Sequence, residues 1–136
     1  MNDKFQKFVD ISRALFNPKE HDNRCFHTTF LLKKGKLVSI GINSSKTNPR
    51  NLKYDYTARN GVDIRHIVGT HSELSAIIKY GKEDISDCIV VNVRIGRDGK
   101  VNNSMPCHGC LSMFVQTGFR RLFYSNSMGD FVEYIP

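Results

Sequence analysis

The chain has 136 residues, of which 40% are hydrophobic and 24% are charged, which is enough for one domain with a buried core. It contains no run of about 20 apolar residues, and its first residues are charged where a signal peptide would be apolar. We therefore expect a soluble, cytoplasmic protein with no membrane partner, and the net charge of +7 favours an anionic partner such as a nucleotide or a polynucleotide.

The first part of the chain predicts a helix followed by a β-hairpin. Apolar residues recur with helical spacing over 3–16, and this helix is expected to end at Asn17-Pro18 because the residue before a proline is disfavoured in helical geometry. Two strand-like runs, Cys25 to Lys33 and Lys36 to Asn43, are joined only by Lys34-Gly35. A connection this short predicts an antiparallel pair.

The remaining elements alternate between helix and strand after a long connection that runs to Gly69. A second helix is expected from Thr70 or His71 to about Tyr80, with Thr70 as its N-cap. The elements that follow are a central strand over 88–95, a turn over 97–100, a third helix from Cys107 to Gly118, and strands over 122–124 and 131–134.

This order predicts one α/β domain over residues 1–136, with the second and third helices packed on a mixed sheet. About half a dozen residues separate the last two strands, whereas parallel strands need a crossover of a dozen or more. Strands four and five are therefore predicted to be antiparallel.

Two short motifs, Thr70-His71-Ser72-Glu73 and Pro106-Cys107-His108-Gly109-Cys110, carry the chemistry. They supply one imidazole, two thiols and one carboxyl group, and each motif opens a predicted helix. Three nitrogen and sulfur ligands leave a fourth position open, as a catalytic zinc ion requires. Glu73 follows His71 by two residues and is well placed to move protons beside the metal.

The alternative is a structural zinc knuckle, in which a fourth protein ligand closes the site. Four residues are candidates for that ligand: His108, His66, Cys88 and Cys25. The two cysteines lie in apolar, strand-like segments, where a free thiol is a common core residue. We therefore favour the open site.

The pattern His-x-Glu followed by Pro-Cys-x-x-Cys resembles the cytidine deaminase superfamily of zinc-dependent nucleobase deaminases. The resemblance implies a three-layer α/β/α fold with a mixed five-stranded sheet and one zinc per chain held by His71, Cys107 and Cys110. It also implies hydrolysis of cytosine to uracil, with Glu73 as the catalytic proton carrier. The antiparallel final strands are similar to the cytidine deaminase and toxin-deaminase branch, rather than to the branch of deoxycytidylate deaminase.

The resemblance also assigns substrate-binding residues. Six are predicted: Asn43, Ser72, His27, Thr28, Tyr124 and Asn126. In the family, the Asn of Gly41-Ile42-Asn43 binds the sugar or base, and the position of Ser72 offers its backbone amide to the pyrimidine. The alternatives are that Asn43 only forms a turn, that His27 and Thr28 are ordinary strand residues, and that the segment after Tyr124 only closes a hairpin.

The long connection combines basic and aromatic side chains, as single-stranded nucleic-acid binders do. The predicted contacts are Lys46, Arg50, Lys53, Tyr54, Tyr56, Arg59 and Arg65. Lys46-Thr47-Asn48-Pro49 also resembles small phage deaminase-like proteins, which would be expressed in a bacterial host. Three functions follow: cytosine deamination in single-stranded DNA or, less favoured, RNA; deamination of free cytidine, deoxycytidine or their monophosphates; or an inactive zinc module that binds nucleic acid. The oligomeric state is left open.

Overall fold

The computed structural model describes residues 3–16, 25–44, 71–82 and 84–136. Within these ranges it has three helices and six strands. The helices are α1 Asp3–Leu15, α2 Ser72–Tyr80 and α3 His108–Thr117, and the strands are β1 Cys25–Lys33, β2 Lys36–Ile42, β3 Cys88–Gly96, β4 Val101–Asn102, β5 Arg121–Ser125 and β6 Phe131–Glu133. No helix in this part of the chain is long and apolar enough to span a bilayer.

The strands form one mixed sheet in the order β2-β1-β3-β5-β6. β3 lies at its centre, antiparallel to β1 and parallel to β5, and β5 pairs with β6 antiparallel. The predicted antiparallel pairing of the last two long strands is therefore confirmed. The predicted number of five strands is wrong, because the short β4 folds back on the end of β3.

β4 exists because of a tight turn over 96–100. The Gly96 amide donates to the Lys100 carbonyl at 2.9 Å, which brings Val101 opposite Ile95. A strand of only two residues has no periodicity of its own, so only its pairing with β3 reveals it. The consequence for the site is that β4 leads the chain back along β3 to the segment that carries Cys107.

Helices cover both faces of the sheet, which confirms the three-layer α/β/α architecture. Alternate residues of β3 point to opposite faces. One buried cluster joins α1 to the sheet and includes Phe5, Phe8, Val9, Phe30, Val91, Val93, Ile95, Phe123 and Phe131. The other joins α2 and α3 to the opposite face and includes Leu31, Leu74, Ile77, Val90, Met113, Phe114 and Leu122.

α1 packs on the sheet through aromatic side chains of β1, β5 and β6. Phe5 stacks on Phe131 of β6 with ring centroids 4.6 Å apart and lies 5.1 Å from Phe123 of β5. Phe8 contacts Phe30 of β1 at 4.9 Å. Aromatic pairs at such separations add to the free energy gained from burial alone. These contacts hold α1 across the face of the sheet opposite α2.

The N-cap of α2 lies one residue later than predicted. His71 is the N-cap, in extended geometry, and its side chain makes no capping hydrogen bond. Thr70, the predicted N-cap, lies outside the described residues. The imidazole of His71 therefore remains available to other groups. Gly81 ends the helix with φ of 79°, a conformation that favours glycine.

Gly41 lies where β2 passes closest to α2. A Cβ atom at this position would overlap the backbone oxygen of Ser72 and the backbone nitrogen of Ala76. Neither backbone atom can rotate away as the end of a side chain could. The glycine of the Gly41-Ile42-Asn43 motif therefore has a packing role: it lets the start of α2 rest directly on the sheet.

We expect Gly41→Ala to lower the free energy of unfolding by about 3 kcal/mol, because the added methyl group must displace helical backbone. Urea denaturation measures this directly. Gly129→Ala is the matched control: its Cβ meets open space and only its φ of +82° is strained, which costs about 1 kcal/mol. Equal losses in the two variants would contradict the close approach.

Candidate metal centre and active site

The starts of α2 and α3 bring three of the predicted site residues together. The ligand atoms of His71, Cys107 and Cys110 all lie within 4.8 Å of one another. The Nδ1 atom of His71 is 3.4 Å from the Cys110 sulfur and 3.6 Å from the Cys107 sulfur. One imidazole nitrogen therefore faces both sulfurs, which are one helical turn apart.

These distances fit a tetrahedral zinc ion. Zinc bonds of about 2.3 Å to sulfur and about 2.0 Å to nitrogen place a nitrogen and a sulfur ligand about 3.5 Å apart. The two nitrogen–sulfur separations of 3.4 and 3.6 Å lie on either side of this value. The donor set and its spacing therefore suit zinc without rearrangement.

The backbone around α3 favours ionised sulfur at Cys107. Cys107 is the N-cap of α3, and its sulfur accepts a hydrogen bond from the Cys110 amide at 3.5 Å. Hydrogen bonding from the Cys110 side chain lowers the pKa of Cys107 to about 4, and the same contact raises the pKa of Cys110. Hydrogen bonding to Cys107 also raises the pKa of His71. Thiolate is the form that binds metal.

A fourth protein ligand is not found in the described part of the chain. The described metal-binding group contains only His71, Cys107 and Cys110. Cys88 belongs instead to the buried cluster beneath α2 and α3. The side chains of the other candidates, Cys25, His66 and His108, lie outside the described residues. Of the four candidates, the described residues therefore place only the side chain of Cys88, and it lies outside the ligand group.

Glu73 is buried beside this group, with 6% of its surface exposed. Its Oε1 accepts a hydrogen bond from the Ser72 hydroxyl at 3.0 Å, and its Oε2 accepts one from the Asn92 amide at 3.2 Å. Burial raises the pKa of Glu73. A carboxyl group with a raised pKa takes up a proton more readily, as a general base must.

The polar contacts around Glu73 close into a ring. Thr29 donates to Asn92 Oδ1 at 2.7 Å, and the Thr29 and Ser72 hydroxyl oxygens are 2.8 Å apart. We call the four residues Glu73, Ser72, Thr29 and Asn92 the carboxyl ring. Thr29 and Asn92 are directly opposite each other on β1 and β3. No sequence motif indicates these two residues, because only strand register brings them together.

Ser104 ties the thiol-bearing segment to the sheet. Its hydroxyl donates to the Asn92 carbonyl at 2.8 Å, and its amide donates to the Ser125 carbonyl at 2.8 Å. The amide of Ser125 donates back to the Ser104 hydroxyl at 2.8 Å. These bonds fix the chain to β3 and β5 three residues before Cys107, and they also were not indicated by any sequence motif.

His27 and Arg94 form the next pair of β1 and β3 on the same face of the sheet as Thr29 and Asn92. Burial, together with the charges of Arg94 and His71, lowers the pKa of His27 to about 4, so its ring is neutral at pH 7. The Nε atom of Arg94 is buried and has no hydrogen-bond partner among the described residues. Arg94 belongs to none of the sequence motifs. Its position on the site face makes it a candidate for binding an anionic group.

Asn43 lies beside His27 at the end of the β-hairpin. Its side-chain oxygen accepts a hydrogen bond from the His27 amide at 3.1 Å, and its own amide donates to the His27 carbonyl at 3.3 Å. Asn43 therefore holds the His27 segment of β1 against the end of the hairpin. Its proposed contact with sugar or base remains a prediction.

The prediction that Thr28 lines the pocket is wrong. Successive residues of a strand face opposite sides, and Thr28 lies between His27 and Thr29, which face the site. Thr28 is fully buried on the same face of the sheet as Phe26 and Phe30. These two rings contact Phe16, just after α1, and Phe8 in α1. Its hydroxyl oxygen has no hydrogen-bond partner within the described residues.

The two predicted residues near the end of β5, Tyr124 and Asn126, have different surroundings. Tyr124 is half-buried and lies beside Asn92 in the parallel register of β3 and β5, on the site face. The side-chain oxygen of Asn126 accepts hydrogen bonds from the amides of Met128 and Asp130 at 3.0 and 2.9 Å. Asn126 therefore closes the β5–β6 turn, which was the structural alternative.

The predicted nucleic-acid contacts all lie outside the described residues. They are Lys46, Arg50, Lys53, Tyr54, Tyr56, Arg59 and Arg65. Their role stays a prediction from the sequence.

Together the α/β/α layers and the three-ligand group define a deaminase-like fold with a site that suits zinc. Among solved structures, the chain is similar to the dCMP deaminase from the cyanophage S-TIM5 in its apo form. The identity is 17%, the match covers 93% of this chain and 86% of the other, and the TM-score is 0.54. The same enzyme in complex with dCMP and dUMP matches at 15% identity over 93% and 85%, also with a TM-score of 0.54.

No protein-family model and no curated protein matches the chain. At these identities the structural likeness concerns the fold alone. The branch favoured by the sequence analysis differs from the dCMP deaminases found here, although the antiparallel β5 and β6 on which it rested are present.

Proposed function

We propose that the protein is a zinc-dependent hydrolytic deaminase that converts cytosine to uracil, acting on single-stranded nucleic acid and on DNA in preference to RNA. One observation carries the proposed chemistry: a buried carboxyl group, Glu73, lies beside an imidazole and two sulfurs spaced for zinc. His71, Cys107 and Cys110 would hold the metal. When bound, zinc supplies a hydroxide nucleophile at neutral pH by acidifying water.

In this reaction, Glu73 takes the proton of the attacking water and delivers it to the ring nitrogen of cytosine. It then takes the second proton of the water, from the hydroxyl group now bonded to the ring carbon that carries the amine, and passes it to the amine. The C–N bond breaks, ammonia leaves, and the carbonyl group of uracil forms. Asn92 and Ser72 hold the two oxygens of the Glu73 carboxyl group during these transfers. General acid–base catalysis of this kind contributes about 10²–10⁴-fold to the rate.

The preference for a strand rests on charge. The net charge is +7, and basic and aromatic residues are concentrated in residues 46–66, immediately before the motif of His71. Such a segment suits a phosphate backbone and its bases. The second candidate is deamination of a free pyrimidine nucleotide, and it is favoured by the likeness in fold to enzymes named as dCMP deaminases.

The test compares four substrates under identical conditions with zinc-loaded protein: a single-stranded DNA oligonucleotide with one cytosine, its RNA counterpart, deoxycytidine and dCMP. Uracil formation in the DNA strand, with little turnover of the small molecules, supports the proposal, and it should fall steeply as salt rises. Turnover of dCMP alone would support the second candidate instead. An inactive zinc module would leave all four substrates unchanged.

Arg94 provides a prediction about the phosphate that both candidates share. Arg94→Gln removes the charge and is expected to raise KM for dCMP or the oligonucleotide by about 10-fold or more, the value of a lost charge-assisted hydrogen bond. Turnover of deoxycytidine, which has no phosphate, should change little. Arg120→Gln is the control, because Arg120 is exposed at the opposite end of β5. Equal effects of both variants would contradict a local contact.

A further inference from the structure

We propose that Thr29 and Asn92 are positioning residues for Glu73. This inference rests on the proposed function, because it assigns Glu73 the role of moving protons. It extends the site from the two sequence motifs to the two central strands of the sheet.

The carboxyl ring fixes the orientation of Glu73. Each carboxyl oxygen has its own donor, Ser72 at 3.0 Å and Asn92 at 3.2 Å, so the plane of the group is held at both ends. Thr29 in turn holds Asn92 through a 2.7 Å hydrogen bond to Oδ1. This bond sets which end of the Asn92 amide faces Glu73. A donor amide is thereby directed at the carboxyl oxygen.

The ring contains a hydroxyl group that can serve two acceptors. Thr29 donates its only hydrogen to Asn92, so in its 2.8 Å contact with Ser72 the Thr29 oxygen can act only as an acceptor. Ser72 can therefore donate either to Glu73 or to Thr29. In the structure Ser72 donates to Glu73, so each carboxyl oxygen of Glu73 has a donor.

The position of these residues argues against a purely structural role. Thr29 and Asn92 are 0% and 3% exposed and lie on adjacent central strands. The β3 residues on either side of Asn92, Val91 and Val93, are apolar. A pair of apolar side chains would fill this space without the cost of burying polar groups, whereas strands hold functional groups more rigidly than loops do.

The test is Thr29→Val, which keeps the shape of the side chain and removes the hydroxyl. We expect kcat for the substrate identified above to fall about 10- to 100-fold, the effect of one or two lost buried hydrogen bonds, while KM changes less than about twofold. Thr29→Ser restores the hydroxyl and should recover most of kcat. A loss that serine does not rescue would overturn the proposal.

Thr28→Val is the matched control. It makes the same change one residue away, at a hydroxyl that faces α1 and has no hydrogen-bond partner among the described residues. We expect its kcat to equal that of the parent protein. If the two valine variants lose kcat equally, the effect comes from general packing and the proposal fails.

Crystal structures of the two valine variants give a second readout that does not require activity. We expect the Glu73 carboxyl group to rotate or occupy two orientations in Thr29→Val and to stay in place in Thr28→Val. If the parent protein deaminates none of the substrates, the proposed function fails, but these structures still decide whether the ring positions Glu73. An unmoved carboxyl group in Thr29→Val overturns the positioning role.

Discussion

Glu73→Gln is expected to abolish deamination while leaving zinc binding and the fold intact. Glutamine has the shape of the carboxyl group and can still accept a hydrogen bond, but it cannot take up and release a proton at neutral pH. The loss in kcat should be about 10²–10⁴-fold, the usual contribution of a general acid–base residue. Product formation and zinc content measure the two expectations on the same sample. Glu133→Gln is the control, because Glu133 pairs with Arg121 on the surface.

The same variant has an expected effect on stability that follows from the pKa of Glu73. Burial raises this pKa in the folded state, so folding favours the protonated form. The folded state therefore loses stability as pH rises through the raised pKa, and glutamine removes this loss. In a metal chelator at pH 7 we expect Glu73→Gln to unfold at a higher urea concentration than the parent protein. Unchanged deamination in Glu73→Gln would show that Glu73 is not the catalytic proton carrier.

Cys110→Ser is expected to lose zinc. The sulfur of Cys110 lies within 3.4 Å of the His71 nitrogen, and a serine hydroxyl is a much weaker ligand for zinc than a thiolate is. Mutation of a residue that only hydrogen-bonds to a metal ligand lowers metal affinity about 10–100-fold. Loss of the ligand itself should therefore lower zinc affinity more than about 100-fold. Zinc content after dialysis, measured by atomic emission, checks this.

Cys88→Ser is the matched control for the metal prediction. Cys88 is also buried, but it packs in the core cluster beneath α2 and α3 and is not part of the described ligand group. This control should keep about one zinc per chain and lose only stability, because it places a hydroxyl in an apolar cluster. Loss of zinc in the control but not in Cys110→Ser would reverse the assignment of the ligands.

Local patterns were sufficient to predict most of the fold. The helical spacing of apolar residues in α1, the two-residue turn between β1 and β2, and the apolar run of β3 each identify an element without reference to the rest of the chain. β4 was missed because two residues cannot display a period, and its existence depends on the turn over 96–100. The N-cap of α2 was misplaced by one residue.

The site was predictable to the extent that its residues lie in motifs. His71, Cys107 and Cys110 lie together because α2 and α3 begin at the same place in the fold. The two sequence motifs that contain these residues predicted this group. Thr29 and Asn92 could not be found in this way, because a threonine and an asparagine in separate strands become neighbours only through register. The misplacement of Thr28 was avoidable, since His27 and Thr28 are consecutive in a strand and cannot face the same side.

The contact between α1 and β6 has a consequence for the order in which the chain folds. The ring of Phe5 rests on those of Phe123 and Phe131, so the first described helix packs against the last two strands. During synthesis, the β1–β2 hairpin can pair as soon as it emerges, whereas α1 has no complete partner surface until β6 has left the ribosome. Contacts between residues this distant in sequence slow folding. The aromatic face of α1 therefore stays exposed on the nascent chain until β6 has emerged, and exposed apolar surface of this kind favours aggregation.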